Sequence, residues 1–343
     1  METTLRPLTL GEILDRTAHL YRTNFLLLAG ISSVYAGALL VLSLAQIGVQ
    51  EALRMNHMNS RIVWATVVGA LIMWPVMVIV GGYAIAANSR AVALIQMGEA
   101  ATIRGSYGSI LPRWRRYLGL MTFTTVVVWL PFGLLYGGYM LFVLLYAKPR
   151  GLLAHPPAAN GEALAVFAIV TVVFVLLAAG AVAYAILMGL RYALAVPASV
   201  IEDLPARKAI RRSIDLSKGG RGRIFLLALL VVAIQVGLAV ITQGFFLLLA
   251  FKQKGALPAS LRVLQQVVAF VTNTFVGPIY ATGFTLFYYD QRVRKEGYDI
   301  EWMMRAAGLM APAAEIVRDT EQVAAWEPDG AAAGAADARR TNE

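Results

Sequence analysis

A chain of 343 residues with 59% hydrophobic and 15% charged residues is far more apolar than a soluble domain, where the figures are roughly 45–50% and about 25%, so the composition is that of an integral membrane protein. The absence of cysteine excludes disulfides, thiolate metal sites and a cysteine nucleophile. A formal charge of +10 would suggest nucleic acid in a soluble chain, but here the cations flank apolar runs, so anionic lipid head groups are the nearer partner and no nucleic acid is expected.

The first segment, METTLRPLTLGEILDRTAHLYRTNF, is polar and contains acids, unlike a signal peptide, so no cleavage is expected. Thr9 reads as the N-cap of a helix and Glu12 as its capping-box partner. Leu10, Ile13, Leu14, Thr17, Leu20 and Tyr21 then form one apolar stripe. Six apolar runs reach the roughly 20 residues needed to cross hydrocarbon. They fall at about Phe25–Val49, Ile62–Ala87, Leu118–Ala147, Ala163–Leu190, Ile224–Phe251 and Val263–Tyr289, and none holds a charged residue. Pro131 in the third and longest run predicts a kink or tilt.

Between the second and third runs, Ile103, Tyr107, Ile110, Leu111 and Trp114 again fall at helical spacing, with Pro112 ending or bending the helix. The third such segment lies in Arg191–Phe225 and is the most basic. Ala206, Ala209, Ile210, Ser213, Ile214 and Ser217 share one side, opposed by Arg207, Lys208, Arg211, Arg212 and Lys218. Asp203 and Pro205 would start this helix and Gly219-Gly220 would stop it. Such a pattern suits a helix lying on a membrane surface. With Arg221 and Arg223 in the hinge that follows, the predicted surface for anionic lipid, or for a protein partner in a membrane complex, is Arg207, Lys208, Arg211, Arg212, Arg221 and Arg223.

The Lys and Arg residues fix an expected orientation. Of the 30 in the chain, 23 fall on the side that holds both termini and seven on the other, which places both termini in the cytoplasm. Thr9 stands 16 residues before Phe25, and Thr102 stands 16 before Leu118. The chain therefore reads as amphipathic elbow helix, span, short loop, span, three times over, the third copy requiring an insertion near Ser217–Arg221. The expected fold class is all-α and polytopic, with six transmembrane helices as three hairpins, each preceded by a cytoplasmic elbow. Residues 1–305 form this membrane domain. Residues 311–343, rich in Ala, Asp, Glu, Gly and Arg, read as a disordered cytoplasmic tail.

Polar residues inside the spans are amides and hydroxyls: Gln46, Gln235, Gln243 and Asn273, with Ser32, Ser33, Thr272 and Thr274. Gln235, Gln243 and Asn273 are the candidates to line a cavity, although such groups more often join helices. Gly133 and Gly137, and Ala181 and Ala185, are spaced for close helix approach, which packing within the bundle accounts for most simply. Gly219–Arg223 is basic and Gly-rich but lacks the GxxxxGK[ST] of a phosphate loop.

Three stretches carry a family resemblance: Leu5–Asp15 with Tyr21-Arg22; Arg191–Pro197 with Ala209–Ser213, Leu216 and Gly219; and Tyr289-Asp290 with Arg292, Arg294, Lys295, Glu296 and Gly297. Together they resemble bacterial membrane proteins related to the glycerophosphoryl diester phosphodiesterase membrane domain, over about residues 5–305. The resemblance implies a six-span domain of the bacterial inner membrane, fused in some relatives to a soluble phosphodiesterase, a fusion not expected here. Metal-dependent hydrolysis of that kind needs clustered His, Glu and Asp. His19, His57 and His155 are scattered instead, so no catalytic residue, metal or cofactor is expected. The expected role is non-enzymatic, as a scaffold or accessory subunit in envelope or lipid-related processes. The alternative is a transporter or flippase for a lipid or small amphiphile.

Overall fold

The computed structural model describes residues 6–56, 59–147, 150, 161–252 and 257–306. They form eleven helices: α1 Leu10–Thr23, α2 Phe25–Met55, α3 Asn59–Gln96, α4 Ile103–Ile110, α5 Trp114–Phe142, α6 Gly161–Tyr192, α7 Ala195–Ile201, α8 Ala206–Ser217, α9 Arg221–Lys252, α10 Ala259–Glu296 and α11 Tyr298–Ala306. A 3-10 turn, Leu111–Arg113, links α4 to α5, and a π-helical turn, Val143–Ala147, extends α5. Six of these helices are long and apolar enough to cross a membrane, and the protein is an all-α, polytopic membrane protein. The tail from 311 onward lies outside the described residues, as do His57 and His155.

Residues Leu8–Gln291 form one compact unit, and Arg292 onward belongs with the first seven residues to a second. In the second unit, Arg292 pairs with Glu296 one turn on (3.2 Å) and lies 4.0 Å over the Tyr298 ring. Gly297 turns the chain there at φ 64, a left-handed conformation in which glycine is unstrained. The α11 helix that follows was not anticipated from its mixed charges.

Within Leu8–Gln291 the spans run past the apolar limits set by composition. The 38 residues of α3 make a rod of about 57 Å at 1.5 Å per residue, against a hydrocarbon core of about 30 Å. The excess lies mainly at the end where the basic segments gather. That basic end also holds the core. Ile13, Leu216, Ile224, Leu227, Phe284, Phe287 and Tyr288 form one fully buried cluster, and Leu28, Ile31, Ala87, Val92 and Ile110 lie in a second.

The short helices belong to this core. Thr9 Oγ1 accepts from Glu12 N (3.3 Å) and Glu12 Oε2 accepts from Thr9 N (2.6 Å), the predicted capping box. Thr102 Oγ1 accepts from Gly105 N at the start of α4. Pro205 is the N-cap of α8 and provides no side-chain bond. Asp203, expected to start α8, is turned instead toward Arg113 and Arg116. Counted from these three caps, the fourth and eighth residues are buried every time: Ile13 and Thr17, Ser106 and Ile110, Ala209 and Ser213.

The first helix is tied down further by Arg16, whose Nη2 donates to Gln96 Oε1 at the end of α3 (2.8 Å). Half-burial there holds its guanidinium below the usual arginine range by desolvation.

Two readings need correction. The α7 helix, Ala-Val-Pro-Ala-Ser-Val-Ile, lies in a stretch with no assigned structure and is almost entirely buried; its proline falls in the first turn, where a missing N–H is harmless. Gly133 and Gly137 do not serve packing inside the bundle, since a Cβ on either would meet nothing within 4 Å. The tight approach is elsewhere. A Cβ on Gly277 of α10 would stand 3.1 Å from Ser32 Oγ of α2, and Ser32 in turn accepts from Asn88 Nδ2 of α3 (3.0 Å). This buried polar staple joins α2, α3 and α10.

Candidate functional site

Leu8, Arg223 and Asp290 come together at the basic end. Asp290, near the end of α10, has a side chain with no exposed surface. Its Oδ1 accepts from Leu8 N (2.8 Å), and its Oδ2 accepts from Arg223 Nη1 of α9 (3.0 Å). Arg223 closes the ring by donating from Nη2 to Leu8 O (2.7 Å), and its guanidinium stands 5.5 Å from the Phe287 ring centre. A buried carboxylate is tolerable only when paired and hydrogen-bonded, and this one is held by the start of the chain and the fifth span at once.

A second carboxylate does the same for α7 and α8. Glu202 accepts Arg212 Nε on both oxygens (3.0 Å each) and Arg212 Nη2 on Oε1 (2.8 Å), the planar fork that suits arginine. The Tyr288 hydroxyl also donates to Glu202 Oε1. Ser213 completes the junction: its Oγ accepts from Leu194 N (3.2 Å) and donates to Arg191 O (2.7 Å), so that α8 satisfies the backbone where α6 ends. The Asp290 and Glu202 bonds engage charges that would otherwise be stranded in buried or half-buried places, while those of Ser213 satisfy backbone groups.

The predicted surface residues divide accordingly. Arg207, Lys208, Arg211 and Arg221 are exposed. Arg212 and Arg223 are part-buried and engaged by Glu202 and Asp290. The apolar face of α8, expected to rest on lipid, packs on the protein through Ala209, Ser213, Leu216 and Ser217. Nothing in the sequence of α8 separates Arg212 from Arg211; the distinguishing partner, Glu202, lies beyond a proline.

The three cavity candidates are not brought together. Gln235 is exposed on α9 and Asn273 on α10, the latter donating to Ala269 O (2.9 Å). Gln243 accepts from Gln265 Nε2 (2.5 Å), a bond between α9 and α10. A cavity of about 190 Å³ lies instead among α3, α5, α6, α7 and α10, with Ser89, Thr124 and Thr125 as its polar groups and Met121, Trp129 and Tyr280 among its apolar ones. Ser89 Oγ is buried there and has no hydrogen-bond partner among the described residues. Sequence reading missed Ser89 because it follows the apolar run of the second span. Glu202, Asp203 and Asp290 were also missed as site residues, although an acid directly after a long apolar run is a signal for an ion pair near the membrane boundary.

Residues 151–291 match a family model described as a domain of unknown function (DUF7847). No curated protein and no solved structure matches the chain.

Proposed function

We propose that this protein is a non-enzymatic scaffold or accessory subunit of the bacterial inner membrane, with both termini cytoplasmic, acting in envelope or lipid-related processes. The observation that carries this reading is the junction of Asp290, Arg223 and Leu8 beside that of Glu202, Arg212 and Tyr288. It fixes the basic end into one platform and leaves Arg207, Lys208, Arg211 and Arg221 facing outward. Within the reading, those four cations hold anionic head groups or an acidic partner.

A threefold elbow repeat is part of the proposal. Its support is the shared burial at four and eight residues after Thr9, Thr102 and Pro205, and the starts of α2 and α9, each 16 residues after its cap. On that register the third copy needs no insertion. Kinship with the glycerophosphoryl diester phosphodiesterase membrane domain is likewise a proposal, favoured because Leu8, Arg212 and Asp290, which lie in the stretches that carry the resemblance, take part in the junction.

The test is recovery of co-purifying proteins and lipids after mild-detergent extraction from native membranes. Reversal of Arg207, Lys208, Arg211 and Arg221 to Glu is expected to abolish a specific partner or the anionic-lipid excess while leaving the fold intact. Wild-type recovery from that variant rejects the reading. The second reading, a carrier of a lipid or small amphiphile, rests on the 190 Å³ cavity and its orphaned Ser89 hydroxyl. It predicts faster lipid movement between leaflets of reconstituted vesicles, slowed by filling the cavity with Ser89→Leu.

A further inference from the structure

We propose that the groove between α3, α4, α5 and the end of α7 is a binding site for a phosphate group, carried by an anionic lipid or free in solution. The inference does not depend on the scaffold reading. The groove has a volume of about 480 Å³ and is walled by Arg90, Ser109, Arg113, Tyr117 and Asp203 with the backbone at Gly108. Arg116 reaches it from α5, because Arg113 and Arg116 both place Nη1 on the same oxygen, Asp203 Oδ1.

Three features distinguish this groove from a structural ion pair. Arg90 is part-buried in its wall and makes no hydrogen bond or ion pair among the described residues, so the five donors of its guanidinium are open to a ligand. Two arginines converge on one carboxylate oxygen, as they would on a phosphate oxygen. The side chain that provides this oxygen is itself half-exposed, at 52%, and stands on a left-handed backbone at φ 53, a conformation that non-glycine residues adopt at a cost and that recurs at ligand sites. Asp203 therefore occupies the place of an anion without being sealed there. Three guanidiniums against one carboxylate leave a surplus of positive charge for a phosphate to neutralise.

The placement also fits. Arg90 stands three residues after the apolar run of α3, and Arg113 and Arg116 stand five and two residues before that of α5, which is the depth of lipid head groups. Ser109, whose hydroxyl donates to Ser106 O, is at the rim. Tyr117, in the same wall, feels the charges of Arg116, Asp203, Arg113 and Arg90.

The test uses the full-length protein in neutral maltoside micelles, titrated with dihexanoyl phosphatidylglycerol or dihexanoyl phosphatidylcholine and followed by the thermal unfolding midpoint. Phosphatidylglycerol is expected to bind at least about tenfold more tightly, and Arg90→Gln or Arg116→Gln to weaken it about tenfold each, the scale of one charge-assisted bond. Arg90→Lys should keep most of the preference, and Asp203→Asn should tighten binding by removing the competing carboxylate. Inorganic phosphate that competes at millimolar concentration assigns the site to a free phosphate. Preference for phosphatidylglycerol without that competition assigns it to the lipid. Equal binding of the two lipids by the wild type, or an unchanged preference in Arg90→Gln, overturns the proposal. If Arg90→Gln does not fold, weaker binding by Asp203→Asn has the same force.

Discussion

The two ends of the same six spans are built differently. At the basic end Tyr288, Phe284, Phe287, Ile13, Leu28 and Ile31 are fully buried, and carboxylates from α10 and the α7–α8 connection hold the surrounding segments. Along the opposite halves of the helices, Leu71, Leu176, Ile241 and Phe251 stand about 70% exposed on the protein itself. A soluble protein could not carry such a surface, but hydrocarbon is as apolar as leucine and gives these side chains no reason to seek one another. Specificity is therefore concentrated where the chain meets water and polar groups have to find partners.

The strongest way to break the contrast is at Asp290. Replacing it with Ala removes the acceptor for Leu8 N and leaves the Arg223 guanidinium without its carboxylate in a part-buried site. Removing one partner of a buried pair costs about 3–5 kcal/mol. Unfolding by SDS in mixed micelles should show a loss of that size; a loss below about 1 kcal/mol would mean the junction is not what holds the basic end.

A matched pair of truncations sharpens it. Phe284→Ala empties a fully buried site in the core cluster and should cost about 3–5 kcal/mol. Leu176→Ala, at 68% exposure on α6, should stay within about 0.5 kcal/mol. Similar losses for the two would show that packing outside the basic end contributes as much as packing within it. Glu202→Gln comes next. The amide keeps the shape but loses the charge-assisted fork to Arg212, for about 1.5–3 kcal/mol. Tyr288→Phe, which removes one bond to the same carboxylate, should cost about 1 kcal/mol.

How legible these parts were in the sequence follows from the range of the interactions that make them. The six spans depend on local apolarity alone, and the Thr9–Glu12 box on a spacing of three residues, so both could be read directly. Arg212 and Arg223 could be found as basic residues but not as locks, because their acids lie beyond a turn at Glu202 and 67 residues on at Asp290. Within the spans, helices that are apolar all round give no stripe to say which way an amide points. For that reason Gln235, Gln243 and Asn273 were grouped by chemistry, while the structure places them apart and lines its cavity with Ser89, Thr124 and Thr125. The short α7 resisted reading for the opposite reason: Ala-Val-Pro-Ala-Ser-Val-Ile is too brief for a period and contains a proline, and only burial against its neighbours makes it a helix.

The opposite end has polar ties of its own, Tyr139 with Thr171 (3.1 Å) and Gln265 with Gln243 (2.5 Å) among them, and the ion pair of Arg262 sets the lower bound of the comparison. Arg262, near the start of α10, donates to Gln50 Oε1 (3.1 Å) and Glu51 Oε2 (2.7 Å) of α2, and Gln50 donates onward to Thr66 of α3 (3.1 Å). Glu51 is one-third exposed, so water screens the pair and competes for both partners, unlike the sealed carboxylate of Asp290. Exposed and partly exposed pairs contribute roughly 0–1 kcal/mol. Arg262→Ala should therefore lower SDS resistance by about 1 kcal/mol at most, and added salt should shrink even that difference, since screening acts on accessible charges. The same salt should leave the Asp290→Ala loss nearly unchanged. If Arg262→Ala instead proved as damaging as Asp290→Ala, the second end of the bundle would be locked as firmly as the first, and the division of labour along the helices would be wrong.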